Sequence, residues 1–274
     1  MPRIVPTPHF ATARKLLAII ALSALALSLT PAAALAQACQ WRYSPGGAGN
    51  FRNIAVGPPL GDLRFGDFDG DRKTDVFTVS DNGNGAYQWL YSSGGAANFR
   101  NLATGPGVFD LRFGDFDGDR KTDVFSASPQ GQGLFQWLFS TGGAGGFQNL
   151  AEGPTIAALQ FGDFDGDGRT DVFTTTPLGG GVYQWAYSPG GVRAFRNLGT
   201  GPIFTALRFG DFDGDGKTDV FAVAAKGGAA YQWMYSPGGA GNFRNLAVGP
   251  DLSILRFGDF DGDRRTDVFS IACP

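Results

Sequence analysis

Residues 111–154 read LRFGDFDGDRKTDVFSASPQGQGLFQWLFSTGGAGGFQNLAEGP. Four runs in that stretch have the aromatic and β-branched character of strands: LRFGDF (111–116), TDVFSAS (122–128), LFQWLFS (134–140) and FQNLAEG (147–153). Each is bounded by the Gly, Pro and Ser clusters that end a strand. The stretch also recurs. Trp41, Trp89, Trp137, Trp185 and Trp233 stand 48 residues apart and are all 5 Trp of the chain. The same period carries Phe51, Phe99, Phe147, Phe195 and Phe243, and Asp67, Asp115, Asp163, Asp211 and Asp259 in the string GDFDGD.

Four strands in a repeat of roughly 40–50 residues is the arithmetic of a β-propeller blade. A parallel β-helix needs shorter rungs and a β-trefoil three repeats, while the 43 Gly and 25 Phe exclude helical solenoids. The expected fold is therefore all-β, a five-bladed β-propeller of 48-residue four-stranded repeats. Composition agrees, since helix-favouring Glu occurs once, at Glu152. The phase of the repeat predicts how the ring closes. Residues 39–274 begin on a third strand (Cys39-Gln40-Trp41) and end on a second (Asp267-Val268-Phe269), so the N- and C-terminal strands complete one blade. No room is left for a second domain. One repeat away, the counterparts of Cys39 and Cys273 are Tyr87 and Asp81, on the two sides of one hairpin. A closed ring makes a Cys39–Cys273 disulfide geometrically possible.

The first 38 residues have another character. Arg3, Arg14 and Lys15 precede an apolar run from Leu16 to Leu29, then Pro31 and the small-residue stretch ending Ala36-Gln37-Ala38. This is the pattern of a secretory signal peptide, with cleavage expected near Ala38 and release to an extracellular or periplasmic space. The run is too short for a comfortable membrane span, and no later segment is apolar for about 18 residues. A lipid-anchored Cys39 is the competing reading, against which stands Ala36-Gln37, a poor match to the residues that precede a lipidated Cys. Removal of the leader takes away His9, the only His, and with it Ser-His-Asp and Cys-His catalysis and any His- or Cys-rich zinc site. It also leaves 19 basic against 25 acidic residues, a formal charge of −6. Nothing in that balance calls for nucleic acid.

The acids are concentrated. Twenty of 25 lie in five copies of one nine-residue loop. The first carries Asp67, Asp69, Asp71 and Asp75 at positions 1, 3, 5 and 9, and the others Asp115, Asp117, Asp119 and Asp123; Asp163, Asp165, Asp167 and Asp171; Asp211, Asp213, Asp215 and Asp219; and Asp259, Asp261, Asp263 and Asp267. A bare Asp-Gly turn explains one Asp and one Gly. Four carboxylates crowded together repel unless a cation holds them or their pKa values rise. An all-oxygen set completed by a backbone carbonyl at position 7, from Lys73, Lys121, Arg169, Lys217 and Arg265, suits Ca²⁺ better than Mg²⁺. The basic side chains at position 7 are expected to stay in solvent. Five bound Ca²⁺ would move the formal charge from −6 to +4.

In these features the chain resembles the FG-GAP or VCBS repeats of integrin-α-like β-propellers, whose calcium loop has the form D-x-D-G-D-G-x-x-D. Phe161-Gly162 followed by Asp163-Phe164-Asp165-Gly166-Asp167-Gly168-Arg169-Thr170-Asp171 carries the resemblance, and such repeats fill residues 39–274. Two departures matter. The second Gly is present at Gly168 and Gly216 but replaced by Arg72, Arg120 and Arg264, where a positive φ costs about 1 kcal/mol. The blades are also shorter than those of integrins and five rather than seven, so the integrin partner surface does not carry over.

The expected function is a secreted calcium-binding propeller acting as a monomeric, non-catalytic binding or adhesion module, with a glycan or an extracellular protein as ligand. The resemblance extends to lectins built on similarly short blades. Trp41, Trp89, Trp137, Trp185 and Trp233 are candidate ligand-binding residues, because an exposed indole with amide and guanidinium neighbours suits sugar rings. If buried, the same residues are inter-blade core, with Gln, Arg and Asn satisfying backbone groups. A propeller glycoside hydrolase or lyase would need paired carboxylates near the central channel, outside the metal loops, for which Asp62 and Asp110 are candidates. A purely structural envelope or matrix protein is the third possibility.

Overall fold

The structure is a computed structural model in which residues 38–273 are described. The expected leader lies outside the described residues. The described residues form twenty strands, and five four-stranded antiparallel sheets make the blades of a propeller. Blade I joins the two ends of the chain in the order β19-β20-β1-β2 (Arg256–Gly258, Asp267–Ala272, Cys39–Ser44 and Arg52–Gly57). Blade II is β3 (Arg64–Gly66), β4 (Asp75–Asp81), β5 (Tyr87–Ser92) and β6 (Arg100–Gly105). Blade III is β7 (Arg112–Gly114), β8 (Asp123–Gly131), β9 (Leu134–Ser140) and β10 (Gln148–Gly153). Blade IV is β11 (Gln160–Gly162), β12 (Asp171–Gly179), β13 (Val182–Ser188) and β14 (Arg196–Gly201). Blade V is β15 (Arg208–Gly210), β16 (Asp219–Gly227), β17 (Ala230–Ser236) and β18 (Arg244–Gly249). The short first strands meet around the axis in the closed sequence β19, β3, β7, β11, β15 and back to β19.

Ring closure follows the predicted phase. Gln40 pairs with Ala272 as Gln88 pairs with Ser80 in blade II, and Cys39 and Cys273, at the places of Tyr87 and Asp81, form a disulfide across a Cα–Cα distance of 4.3 Å. A disulfide-bonded Cys39 has no thiol to lipidate. Among the described residues, no helix is long and apolar enough to cross a membrane.

Two strands of blade III differ from expectation by more than one residue at an end: β8, expected over 122–128, runs on to Gly131, and the first strand is shorter. The innermost strand of blade III was expected over 111–116 but spans Arg112–Gly114. The backbone of Asp115 is taken by the neighbouring blade: Thr170 N donates to Asp115 O at 2.6 Å, and Asp115 N donates to Thr170 Oγ1 at 2.8 Å. The next N–H, of Phe116, is taken by the Asp123 carboxylate at 2.8 Å. With those groups engaged, the ladder ends at Gly114.

The five tryptophans are core. Their side chains are 1–2% exposed, and each indole N–H donates to a proline carbonyl, as from Trp89 to Pro106 at 3.0 Å. The expectation that these indoles stack on sugars is therefore corrected: a ring enclosed on this scale has no face to offer, and its polar atom is satisfied within the fold. The preceding glutamine completes the arrangement. Gln88 Nε2 donates to Trp89 O and Ala103 O, at the place where the β5–β6 register shifts, and blades I, III, IV and V repeat this. Blades pack on one another through rings: Trp41 meets Phe99 edge to face at 6.3 Å and Phe77 meets Phe113 at 5.0 Å.

The glycine ending each outer strand makes room for the indole. A Cβ on Gly105 would lie 2.2 Å from Trp89 Cζ2. The ring cannot yield without losing its bond to Pro106 and its packing on Phe77. Gly105→Ala is expected to destabilise the fold by about 1–3 kcal/mol, or roughly 2–4 °C per kcal/mol in a protein of this size, read as the thermal midpoint against wild type.

Candidate metal centre

Each acidic loop joins the first and second strands of a blade, on the face that also carries the Gly-rich turns between the third and fourth strands. Position 9 ties the two loops together. Asp75 is fully buried, and its oxygens accept from Phe68 N within the acidic loop and from Gly94 N of the Gly-rich turn, both at 2.8 Å. Asp123, Asp171, Asp219 and Asp267 do the same. Position 1 shapes the turn: Asp67 accepts from Gly70 N at 2.7 Å and Arg72 N at 2.8 Å. Position 5 accepts from the N–H two residues on, as Lys73 N donates to Asp71 Oδ1 at 2.8 Å.

These turns gather carboxylates. In blades I, II and IV the donor atoms of positions 1, 3 and 5 (Asp259, Asp261 and Asp263; Asp67, Asp69 and Asp71; Asp163, Asp165 and Asp167) lie within 4.8 Å of one another. In blades III and V the same spacing joins positions 1, 3 and 9, namely Asp115, Asp117 and Asp123, and Asp211, Asp213 and Asp219. Asp119 and Asp215 are exposed members of those two loops. Each cluster could hold a metal ion.

Position 3 supplies the oxygen that fits an ion. Asp165, Asp213 and Asp261 each have a buried Oδ1 with no hydrogen-bond partner. Their Oδ2 atoms face arginines of the fourth strand at 3.7–4.0 Å: Arg196, Arg244 and Arg52. Arginine thus holds one oxygen of each pair and leaves the other buried beside two more carboxylates. An unbonded buried carboxylate oxygen is costly, and a hard cation relieves it. These arginines stand in the Phe-Arg-Asn runs that begin at Phe51, Phe195 and Phe243, and the sequence reading did not tie them to the loops. Blade III has Gln148 at this position, and there Thr141 Oγ1 donates to Asp117 Oδ2 at 3.0 Å. The signal was available: the repeat that loses its Arg is also the one with Thr where the others have Pro or Ser.

Threonine at position 8 was also missed, although all five loops carry it. Thr122 clasps Asp67, Thr170 clasps Asp115, Thr218 clasps Asp163 and Thr74 clasps Asp259, each with its N–H donating to the aspartate carbonyl and its hydroxyl accepting from the aspartate N–H. Thr266 N donates to Asp211 O, which closes the circuit. Every loop is thereby bonded to the next. A Cβ on Gly66 would lie 2.5 Å from Thr122 Cγ2, so the Gly of each Phe-Gly pair is what allows the clasp.

The basic side chains of position 7 are exposed, but they do not simply extend into solvent. Lys121 lies over Gly70 and Lys73 over Gly262, each crossing the loop of the preceding blade, and Arg169 Nη2 donates to Asp117 O at 3.0 Å. Their methylene stems cover the acidic loops while the charges offset the carboxylates.

A closed five-bladed ring with an oxygen-donor cluster on every blade defines a propeller with repeated candidate metal loops. The model of the FG-GAP-like repeat matches residues 67–126, 115–174 and 211–270, more than half of the chain, and the protein belongs to that family. No curated protein matches it. Among solved structures, TolB from Acinetobacter baumannii is similar at 11% identity and a TM-score of 0.44, over 86% of this chain and 64% of that one. Putative TolB from Agrobacterium tumefaciens is similar at 13% identity and a TM-score of 0.40, over 86% of this chain and 98% of that one. This chain thus spans under two thirds of the Acinetobacter protein.

Backbone geometry bears out the expected strain at position 6. Arg72, Arg120 and Arg264 have φ of 70–71°, in the region where Gly168 and Gly216 lie at 85–86°. Arg72→Gly and Arg264→Gly are each expected to raise stability by about 1 kcal/mol, and Gly168→Ala to lower it by a similar amount, in denaturant unfolding.

Burial is the largest influence on position 9. It lifts Asp75 and Asp267 to about 7 and Asp123, Asp171 and Asp219 to about 6, against the pull of their backbone N–H donors. A carboxyl whose folded pKa is raised contributes stability that is fully present below its unfolded pKa and lost as pH rises through the folded value. The metal-free protein should therefore melt at a higher temperature at about pH 5 than at about pH 8. Added calcium, which needs ionised carboxylates, should raise the midpoint more at the higher pH.

Proposed function

We propose that the protein is an exported, calcium-stabilised β-propeller that serves as a non-catalytic binding module, with glycans as its ligand class. The observation that carries the calcium reading is the buried, unbonded Oδ1 of Asp165, Asp213 and Asp261 within clusters of three carboxylates. Positions 1, 3 and 5 with the position 7 carbonyl, together with position 9, would hold the ion. Bound calcium would supply positive charge that cancels the repulsion between the loop carboxylates, adding folding free energy because the unfolded chain has no such site. Export is supported by the leader-like first 38 residues and by the Cys39–Cys273 disulfide, which persists in oxidising compartments.

For the glycan, attention moves from tryptophan to phenylalanine. Phe51, Phe99, Phe147, Phe195 and Phe243 are 37–42% exposed, and Phe51 and Phe243 border shallow clefts between blades. The cleft of ≈ 370 Å³ between blades IV and V is lined by Phe243, Asn242, Thr200 and the edge of Trp185, an apolar ring face beside amide and hydroxyl groups. A similar cleft of ≈ 360 Å³ lies between blades V and I, where Arg42 sits over the Phe51 ring at 5.1 Å. Such sites repeated around the ring would convert weak single contacts into avid binding to a repetitive surface.

Thermal unfolding of the disulfide-bonded protein in EDTA and in millimolar Ca²⁺, with metal content measured, tests the calcium reading. A calcium-dependent rise in midpoint with several ions per chain is expected, and the absence of both would reduce the loops to turns. On a glycan array probed with calcium-loaded protein, Phe243→Ala is expected to weaken retention on any positive glycan while keeping the calcium-dependent rise. Retention that is unchanged by Phe243→Ala would remove the cleft from the account.

A further inference from the structure

The opposite face of the propeller holds a cluster that the metal loops do not use. The innermost strands begin with Arg64, Arg112, Gln160, Arg208 and Arg256, and these five half-buried side chains line the mouth of the central channel, a cavity of ≈ 230 Å³. The propeller symmetry alone makes them converge, because each is the first residue of a strand that stands against the axis.

Each arginine closes the turn before its strand through Nη1. Arg208 Nη1 donates to Thr205 O and Leu207 O, Arg256 Nη1 to Ser253 O and Leu255 O, and Arg112 Nη1 to Phe109 O and Leu111 O. Arg64 Nη1 does the same with Gly61 O and Leu63 O. Closing a turn in this way occupies one end of the fork and fixes the direction of the rest. It does not account for four like charges placed around one axis.

Compensating charge is thin. Among the described residues, no carboxylate comes within ion-pair distance of Arg112, Arg208 or Arg256. Asp110 and Asp251 act on Arg112 and Arg208 from farther away. Blade I has Ile254 where blades II and III have Asp62 and Asp110. Arg256 is pushed down to about 10, first by burial and then by Arg208 and Arg64 on either side of it. It remains charged at neutral pH, next to the Arg208 guanidinium in a partly desolvated mouth. Like charges in such a place are unfavourable until an anion joins them.

We propose that this channel mouth binds a compact multivalent oxyanion, held by the guanidinium groups of Arg256, Arg208 and Arg112, with Arg64 and the Gln160 amide completing the ring. Guanidinium forks match phosphate, sulfate and carboxylate oxygens in bidentate geometry, which favours an anion with several oxygens over chloride. The cavity lies below the roughly 300–1,000 Å³ of drug-sized sites, so the ligand is on the scale of pyrophosphate or sulfate. The site lies on the face away from the acidic loops and does not depend on calcium.

Calorimetric titration of the disulfide-bonded protein tests this, with pyrophosphate in metal-free buffer and with sulfate in millimolar Ca²⁺, because pyrophosphate would sequester the metal. Chloride at matched ionic strength is the blank. One anion per chain is expected, with a rise in thermal midpoint. Arg256→Gln places at that position the residue blade IV already carries, so the blade should still form. Arg256→Gln and Arg208→Gln should each weaken binding by about tenfold or more, and Lys226→Gln, which removes an exposed charge, should leave it unchanged. Three results would overturn the proposal: no heat and no midpoint shift with either anion; equal weakening in Lys226→Gln and Arg256→Gln; or loss of binding in Arg264→Gly but not in Arg256→Gln, which would put the anion on the acidic-loop face, where Arg264 shares a cavity with Arg72 and Arg120.

Discussion

The ring depends on a clasp between backbones. A threonine at loop position 8 grips the position 1 aspartate of the preceding blade by both N–H and C=O, and the circuit of Thr74, Thr122, Thr170, Thr218 and Thr266 is closed. The gripped aspartate is also the residue whose carboxylate organises the acidic turn. Blade contact and candidate metal site therefore share one residue. A change in charge at a loop is felt by the seam between blades, and a loosened seam moves a carboxylate.

The same economy sets where charge is tolerated. Twenty carboxylates on one face are held by backbone N–H groups, by fourth-strand arginines, by Thr141 in blade III and by basic stems crossing from the next blade. Those partners leave buried oxygens unbonded at Asp165, Asp213 and Asp261, which is the chemistry that admits a cation. The other face inverts the sign. Arginines converge on the axis there with few carboxylates near them. The propeller thus carries oxygen donors around its rim on one side and nitrogen donors at its centre on the other.

Glycine has two separate uses in this fold. At the end of each outer strand it leaves space for an indole, and before each acidic loop it leaves space for the clasping threonine. At loop position 6, by contrast, the requirement is a positive φ, and three blades meet it with arginine. The first two uses are steric and admit no side chain, whereas the third costs only about 1 kcal/mol, which a repeat protein with four other seams can tolerate.

The 48-residue period, the four strands within it, the count of blades and the phase that pairs Cys39 with Cys273 were all legible in the sequence, because a repeat states its geometry several times over. The four-carboxylate loop was legible for the same reason. What lay beyond the sequence were contacts between repeats, where one residue's role is set by another about 50 positions away. Only the closed ring buried the tryptophans against neighbouring phenylalanines and left the phenylalanine faces half exposed, reversing their expected roles. Only the ring turned position 8 threonine into a clasp and drew Arg64, Arg112, Arg208 and Arg256 to one axis, while the folding of each blade aimed Arg52, Arg196 and Arg244 at its own acidic loop. Periodicity fixes what each repeat contains, but burial and convergence are properties of the rotation that relates one repeat to the next.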